Sequence, residues 1–181
     1  MSVTHPQGFT ASGVAAGLKS TGAKDLALVV NDGPTHDSAS VFTANRCKAN
    51  PILWSQEVVK DGVVRAVVLN SGGANCYTGP EGFQTTHAVA EKVADGLGIG
   101  AIDVVVCSTG LIGLANDRDT LLAGVEAATA ELSSDGGASA AEAIMTTDTV
   151  PKAISRQVVI DGQTITVTGI AKGAGMIEPN M

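Results

Sequence analysis

The chain has 181 residues, 44% of them hydrophobic but only 3% aromatic, with 22 glycines and a formal net charge of -7. That length carries one domain with a sizeable core, so residues 1–181 read as a single α/β unit built from thin layers of Val, Ala, Leu and Ile. The acidic balance, with no basic stripe, excludes nucleic-acid binding; no apolar run approaches the ~20 residues that cross a bilayer, and the amino terminus has no signal core, so the expected location is the cytoplasm.

After a loose start, residues 24–31 and 38–43 (Ser-Ala-Ser-Val-Phe-Thr) read as two strands joined through Asp32-Gly33-Pro34 in a long-looped hairpin. Asn50 before Pro51 marks a capped start with proline at the first helical position, which predicts a short helix over 51–60 that Asp61-Gly62 ends. Residues 63–69 (Val-Val-Arg-Ala-Val-Val-Leu) form a central strand buried on both faces, running into the small polar loop Asn70-Ser71-Gly72-Gly73-Ala74-Asn75. From 81 to 97, Phe83, His87, Ala90, Val93, Ala94 and Leu97 define one helical face, on which His87 is expected to be a satisfied core histidine rather than a ligand.

Residues 103–107 (Asp-Val-Val-Val-Cys) are a second short buried strand, emptying into Ser108-Thr109-Gly110-Leu111-Ile112-Gly113. Leu121, Leu122, Val125, Ala128 and Leu132 mark the next helix, 133–137 a linker, and 139–145 an Ala-rich helix closing on Thr146-Thr147-Asp148-Thr149. Residues 153–160 and 163–170 alternate around Asp161-Gly162, the strongest hairpin signal in the chain. Cys47, Cys76 and Cys107, like His5, His36 and His87, are too scattered for a disulfide framework or a metal site.

Three glycine-rich loops follow strands: 70–75, 108–113 and 172–175. Ligands of α/β sheets bind beyond the carboxyl ends of strands, where small residues free backbone N–H groups to face a bound oxygen, so together these loops suit an anion or oxyanion site. The familiar dinucleotide and phosphate motifs are missing, and Ser108 lacks the upstream glycine of a nucleophile elbow. Taken alone, Ser108-Thr109-Gly110 is also a plain tight turn, Lys172 a solvated lysine, and 146–149 a helix end with an ST or Asx turn. The functional alternatives are an oxyanion contact from the Thr109 hydroxyl and Gly110 N–H, a substrate contact from Lys172, and substrate hydrogen bonds from the hydroxyls of 146–149.

The last stretch, Gly169 to Met181, carries an alternating strand straight into Gly-X-Gly. It reads as a cut end facing a missing continuation, or as a simple truncation; the residues leave both open.

Four signatures in order, Leu69-Asn70-Ser71-Gly72-Gly73-Ala74-Asn75, Cys107-Ser108-Thr109-Gly110-Leu111-Ile112-Gly113, Ala143-Ile144-Met145-Thr146-Thr147-Asp148, and Ala171-Lys172-Gly173-Ala174-Gly175-Met176 with Glu178-Pro179-Asn180-Met181, span the chain. Through them it resembles the amino-terminal (α) half of the ornithine acetyltransferases, the glutamate N-acetyltransferases of arginine biosynthesis. The resemblance implies a layered α/β (α+β) sandwich with mixed sheets, completed by a separate β chain in an amino-terminal-nucleophile-like architecture. It implies cleavage at or just after Met181 and a larger αβ oligomer, such as a heterotetramer. The implied reaction is ping-pong transfer of acetyl from N-acetylornithine to glutamate through a threonine that opens the β chain, without a bound cofactor or metal, leaving acetyl-CoA open as a second donor. Carried over by position, Thr109 and Gly110 are the oxyanion donors, Thr146 and Lys172 contact substrate, and Asn70 and Asn75 line the site.

The sequence departs from the family after Gly113, where Leu114-Ala115-Asn116-Asp117 lacks an expected Arg and Pro. Two rivals remain: a self-processing aminopeptidase or amidase of similar architecture, and a non-catalytic module that binds a small anion.

Overall fold

The computed structural model describes residues 2–175, 177 and 180–181. Among these, strands β1 (Phe9–Val14), β2 (Leu26–Asn31), β3 (Ala66–Gly73) and β4 (Val104–Leu111) form one sheet in that order. The pairs β1/β2 and β2/β3 are antiparallel and β3/β4 is parallel, so the sheet is mixed. A parallel pair needs a long crossover, and α2 (Gly79–Leu97) supplies it between β3 and β4.

The amphipathic pattern decides which face each helix covers. Val89, Val93 and Ala94 of α2 and Leu121, Val125 and Ala128 of α3 (Arg118–Ala130) pack on Leu26, Leu28, Val68, Val104 and Val106 to form the main core. On the opposite face, α4 (Gly137–Ala143) sets Ala140 and Ala143 against Ala11 and Ala27. That contact is close enough that a Cβ on Gly13 would lie 2.1 Å from the Ser139 carbonyl oxygen. Elsewhere on this face Val67, Leu69, Val105 and Cys107 stay half-buried.

Strand β4 lies at the sheet edge, which α1 (Asn50–Val58) closes with side chains. Trp54 Nε1 donates to the Val104 carbonyl at 3.0 Å; Ser55 Oγ donates to the Val106 carbonyl at 2.8 Å and accepts from the Val106 amide at 3.1 Å. Groups that would otherwise template another strand are thus satisfied. Strands β5 (Lys152–Ile160) and β6 (Gln163–Ala171) form a separate hairpin. Its turn carries positive φ at both Asp161 (51°) and Gly162 (78°), as a two-residue turn matching strand twist requires. Val158, Val159, Ile160 and Val167 on it are exposed.

Several expectations are corrected. The supposed loose start contains β1, concealed because Phe9-Thr10-Ala11-Ser12-Gly13-Val14 is made mostly of small residues. Residues 38–43 are not a strand: β1 and β3 occupy both edges of β2, and just before this region lies the isolated bridge Asp37 to Val63. Strands β3 and β4 begin later and continue through Gly73 and Leu111, so much of both expected loops is strand. The cap of α1 is Ala49, with no side-chain bond, while the Asn50 amide group reaches Thr78 and Gly79. Helix α4 starts and ends two residues early. His87 is about half exposed, 4.9 Å from Trp54 between ring centres and 3.5 Å from Glu91, rather than a core histidine.

Candidate active site at the ends of two parallel strands

The β3/β4 register places Ser71 beside Thr109 and Gly72 beside Gly110, so two predicted loops meet as neighbouring strand ends. Both glycines have positive φ, 147° at Gly72 and 126° at Gly110, and a Cβ on Gly110 would lie 2.4 Å from Gly72 backbone atoms. Only glycine fits there. Ser108 Oγ donates to Asn70 Oδ1 at 2.5 Å, and Asn70 Nδ2 and Asn116 Nδ2 both donate to the Gly73 carbonyl, at 3.2 and 3.1 Å. Asn75, 4% exposed, is committed to the Gly82 carbonyl and Thr86 Oγ1. Asn70 and Asn116 therefore brace the end of β3, while Asn75 ties the following loop to α2.

Lys172, directly after β6, reaches across to this edge: its Nζ donates to Thr109 Oγ1 at 3.0 Å. An ammonium has no lone pair, so the Thr109 oxygen must be the acceptor and its own proton is free to be donated elsewhere. Thr109 and Lys172 are half-buried and Gly110 is exposed, leaving the group open to a ligand. The arrangement sets a hydroxyl donor and a positive charge side by side, suited to negative charge developing on an oxygen.

Thr146 joins through its backbone. Its amide donates to Asp148 Oδ2 at 3.1 Å, while Asp148 Oδ1 accepts from the Gly173 amide and from Lys152 Nζ, each at 2.5 Å. The bond from Lys152, then those from the Gly173 and Thr146 amides, hold the Asp148 carboxyl far below the usual carboxylate range. The expected ST or Asx turn is thus replaced by a carboxylate that reaches back two residues and across to β6. Beneath lies a second brace: Lys19 Nζ donates to the Lys24 and Met145 carbonyls, both at 2.7 Å. Burial lowers the Lys19 pKa against the opposing pull of Asp25. The Asp25 carboxylate, in turn, accepts from the amides of Ala16, Gly17, Leu18 and Lys19.

Sequence reasoning named Thr109, Gly110, Thr146 and Lys172 and missed Asp148, Lys19 and Asp25, whose partners are mostly backbone groups that leave no residue-type signal. Cys107, two residues before Thr109, is not a nucleophile candidate: burial pushes its thiol up to about 11. A cavity of about 550 Å³ beside the starts of α2 and α3, lined by Asn75, Gln84, Asn116 and Arg118 among others, includes none of the four predicted site residues.

Fold and site together define an α/β protein with a polar site, a hydroxyl and an ammonium side by side, where two parallel strands end. The ArgJ family model matches residues 10–181, and the chain belongs to the ArgJ family. It is 61% identical over 181 residues to the arginine biosynthesis bifunctional protein ArgJ of Streptomyces coelicolor, covering 100% of this chain and 46% of that protein. The ArgJ protein of Thermobifida fusca is 56% identical with the same coverage. The chain therefore spans about half the length of the curated relatives it matches. The crystal structure of ornithine acetyltransferase from Mycobacterium tuberculosis, complexed with ornithine, matches with TM-score 0.93 and 52% identity, covering 99% of this chain and 95% of that one. ArgJ from Bacillus halodurans matches with TM-score 0.92 and 37% identity, covering 99% and 94%. These matches bear out the mixed α/β architecture and the family expected from the four signatures.

Proposed function

We propose that this chain is the α half of a self-cleaved glutamate N-acetyltransferase that moves acetyl from N-acetylornithine to glutamate. The observation that carries the reading is the contact from Lys172 to Thr109 beside Gly110. Family membership supports it, as does the solved relative, whose matching chain has nearly this chain's length although the curated relatives are about twice as long. In this reading the precursor cleaves itself at or just after Met181, and the companion β chain begins with the nucleophilic threonine. The two chains assemble into an αβ oligomer, a heterotetramer in its simplest form, in the cytoplasm.

The chemistry runs in two halves. The threonine oxygen attacks the acetyl carbonyl carbon while its proton passes to the threonine's own α-amine, and the carbonyl oxygen becomes an oxyanion. Thr109 Oγ and the Gly110 N–H donate to that oxygen. Lys172 and Thr146 hold the substrate, with Lys172 also keeping the Thr109 oxygen occupied so that its proton faces the oxyanion. Collapse expels ornithine, whose amine takes the proton, and leaves an acetyl ester on threonine. The glutamate amine then attacks the ester, restoring the threonine hydroxyl.

The test is transfer of labelled acetyl from N-acetylornithine to glutamate by the full-length, processed protein. Labelled N-acetylglutamate is expected; release of label only as acetate would favour the hydrolase rival, and ligand binding without turnover the anion-binding module. Acetyl-CoA belongs in the same assay as a second donor. Thr109→Ala should slow transfer by about 100-fold with assembly intact; unchanged turnover would remove Thr109 from the oxyanion site.

A further inference from the structure

We propose that Asp148 is a positioning residue that holds Lys172 against Thr109 and locks the Thr146 segment to the end of β6. This rests on the reading of Thr109, Thr146 and Lys172 given above.

The Asp148 side chain is 0% exposed. A carboxylate withdrawn from water is costly unless its oxygens are hydrogen-bonded, so the groups bonded to it indicate what it organises. Two of its partners are backbone amides, the local one of Thr146 on Oδ2 at 3.1 Å and the remote one of Gly173, 25 residues on, on Oδ1 at 2.5 Å. Each lies at a candidate substrate contact: Thr146 is one, and Gly173 directly follows the other, Lys172. The third partner, Lys152, is about half exposed and balances the charge from the solvent side. An ordinary turn would need only the local bond. The cross-link to Gly173 fixes the backbone next to Lys172 and thereby where its ammonium meets Thr109, 3.0 Å away.

Chemistry picks the variant. Asparagine is nearly isosteric but uncharged, with one acceptor oxygen; its amide nitrogen would face either the Thr146 N–H or the Gly173 N–H and Lys152, and any bond that remains loses its charge assistance, so the cross-link to Gly173 is loosened in either orientation. Glutamate keeps the charge but displaces the oxygens by a methylene. Geometry is the contribution at stake, and small misplacements of reacting groups cost far more in turnover than in affinity.

The experiment uses the full-length, processed protein with Asp148→Asn and Asp148→Glu. It measures kcat and KM for acetyl transfer and, separately, the rate at which an isotope-coded amine reagent labels Lys172. For Asp148→Asn we expect kcat to fall about 30-fold with KM within about threefold, and Lys172 to be labelled at least about threefold faster than in the wild type. The Glu variant should recover part of kcat. Labelling needs no turnover: a wild type that transfers no acetyl, with faster Lys172 labelling in the Asn variant, rejects the acetyltransferase reading and leaves the clamp standing. Unchanged kcat overturns the positioning role, as does a loss of kcat without faster labelling. Failure of both variants to accumulate as folded, processed protein would make Asp148 a folding element and overturn it as well.

Discussion

Lys172 and Thr109 show how two residues divide a task. In the proposed reaction the lysine supplies charge and, by occupying the threonine oxygen, leaves the hydroxyl proton to be donated elsewhere, which neither side chain achieves alone. Cys107 shows the converse, since its position near Thr109 suggests reactivity that its surroundings suppress. With its thiol pushed up to about 11, it should resist alkylation at pH 8 while exposed Cys47 is modified first; peptide mapping after a short iodoacetamide pulse would show this, and faster labelling of Cys107 would contradict it. Asp148 has an acid signature. Its folded pKa lies below the unfolded value of about 3.9, so its stabilisation is complete above roughly pH 4 and is lost as pH falls toward the depressed folded value. The gap in urea midpoint between wild type and Asp148→Asn should therefore be constant from pH 7 down to about pH 5 and narrow in stronger acid. A gap that widens on acidification would contradict the assignment. At this scale the sequence is legible where side chain meets side chain, as in the contact that brings Thr109 and Lys172 together. It is silent where a side chain bonds backbone, because the amides of Thr146 and Gly173 belong to whatever residue stands there.

Among the elements, β4 carries the greatest burden: its inner edge pairs with β3, its outer edge is closed by α1, and its end bears Thr109 and Gly110. Ser55, 1% exposed, both donates to and accepts from Val106, so Ser55→Ala leaves a buried carbonyl and amide without partners. The expected cost is about 2 kcal/mol of stability, read as a lower denaturation midpoint. An unchanged midpoint would show that water replaces the hydroxyl and that the edge is less closed than described. The same elements explain what periodicity could and could not reveal. Helix α2 and the β5–β6 hairpin are long and strongly patterned, and residues 81–97 and 153–170 read correctly within about two residues. Strand β1 pairs through small residues beneath α4, and residues 38–43 have a strand-like composition but no free sheet edge to join. Strand pairing is a tertiary decision that local pattern does not record. The extension of β3 and β4 into their glycines follows from the same cause: Gly110 continues the ladder because only a glycine there clears the Gly72 backbone, while Gly72 itself lies against Leu18.

For the whole molecule, the four signatures carried the family, and the comparisons agree with it over the full chain. The surface is consistent with a chain that has a large partner: Val67, Leu69 and Val105 on one sheet face are only half-buried, and the β5–β6 hairpin exposes Val158, Val159, Ile160 and Val167. Among the described residues no helix is long and apolar enough to cross a membrane. If this chain supplies the oxyanion site for a threonine borne by a second chain, intact-mass analysis will show it. Full-length protein is purified, incubated with N-acetylornithine, denatured and weighed, with and without a glutamate chase. Two chains are expected, the second beginning with threonine, gaining the mass of one acetyl group on that residue with the donor and losing it with glutamate. A single uncleaved chain, or a second chain that never carries acetyl during turnover, would contradict it.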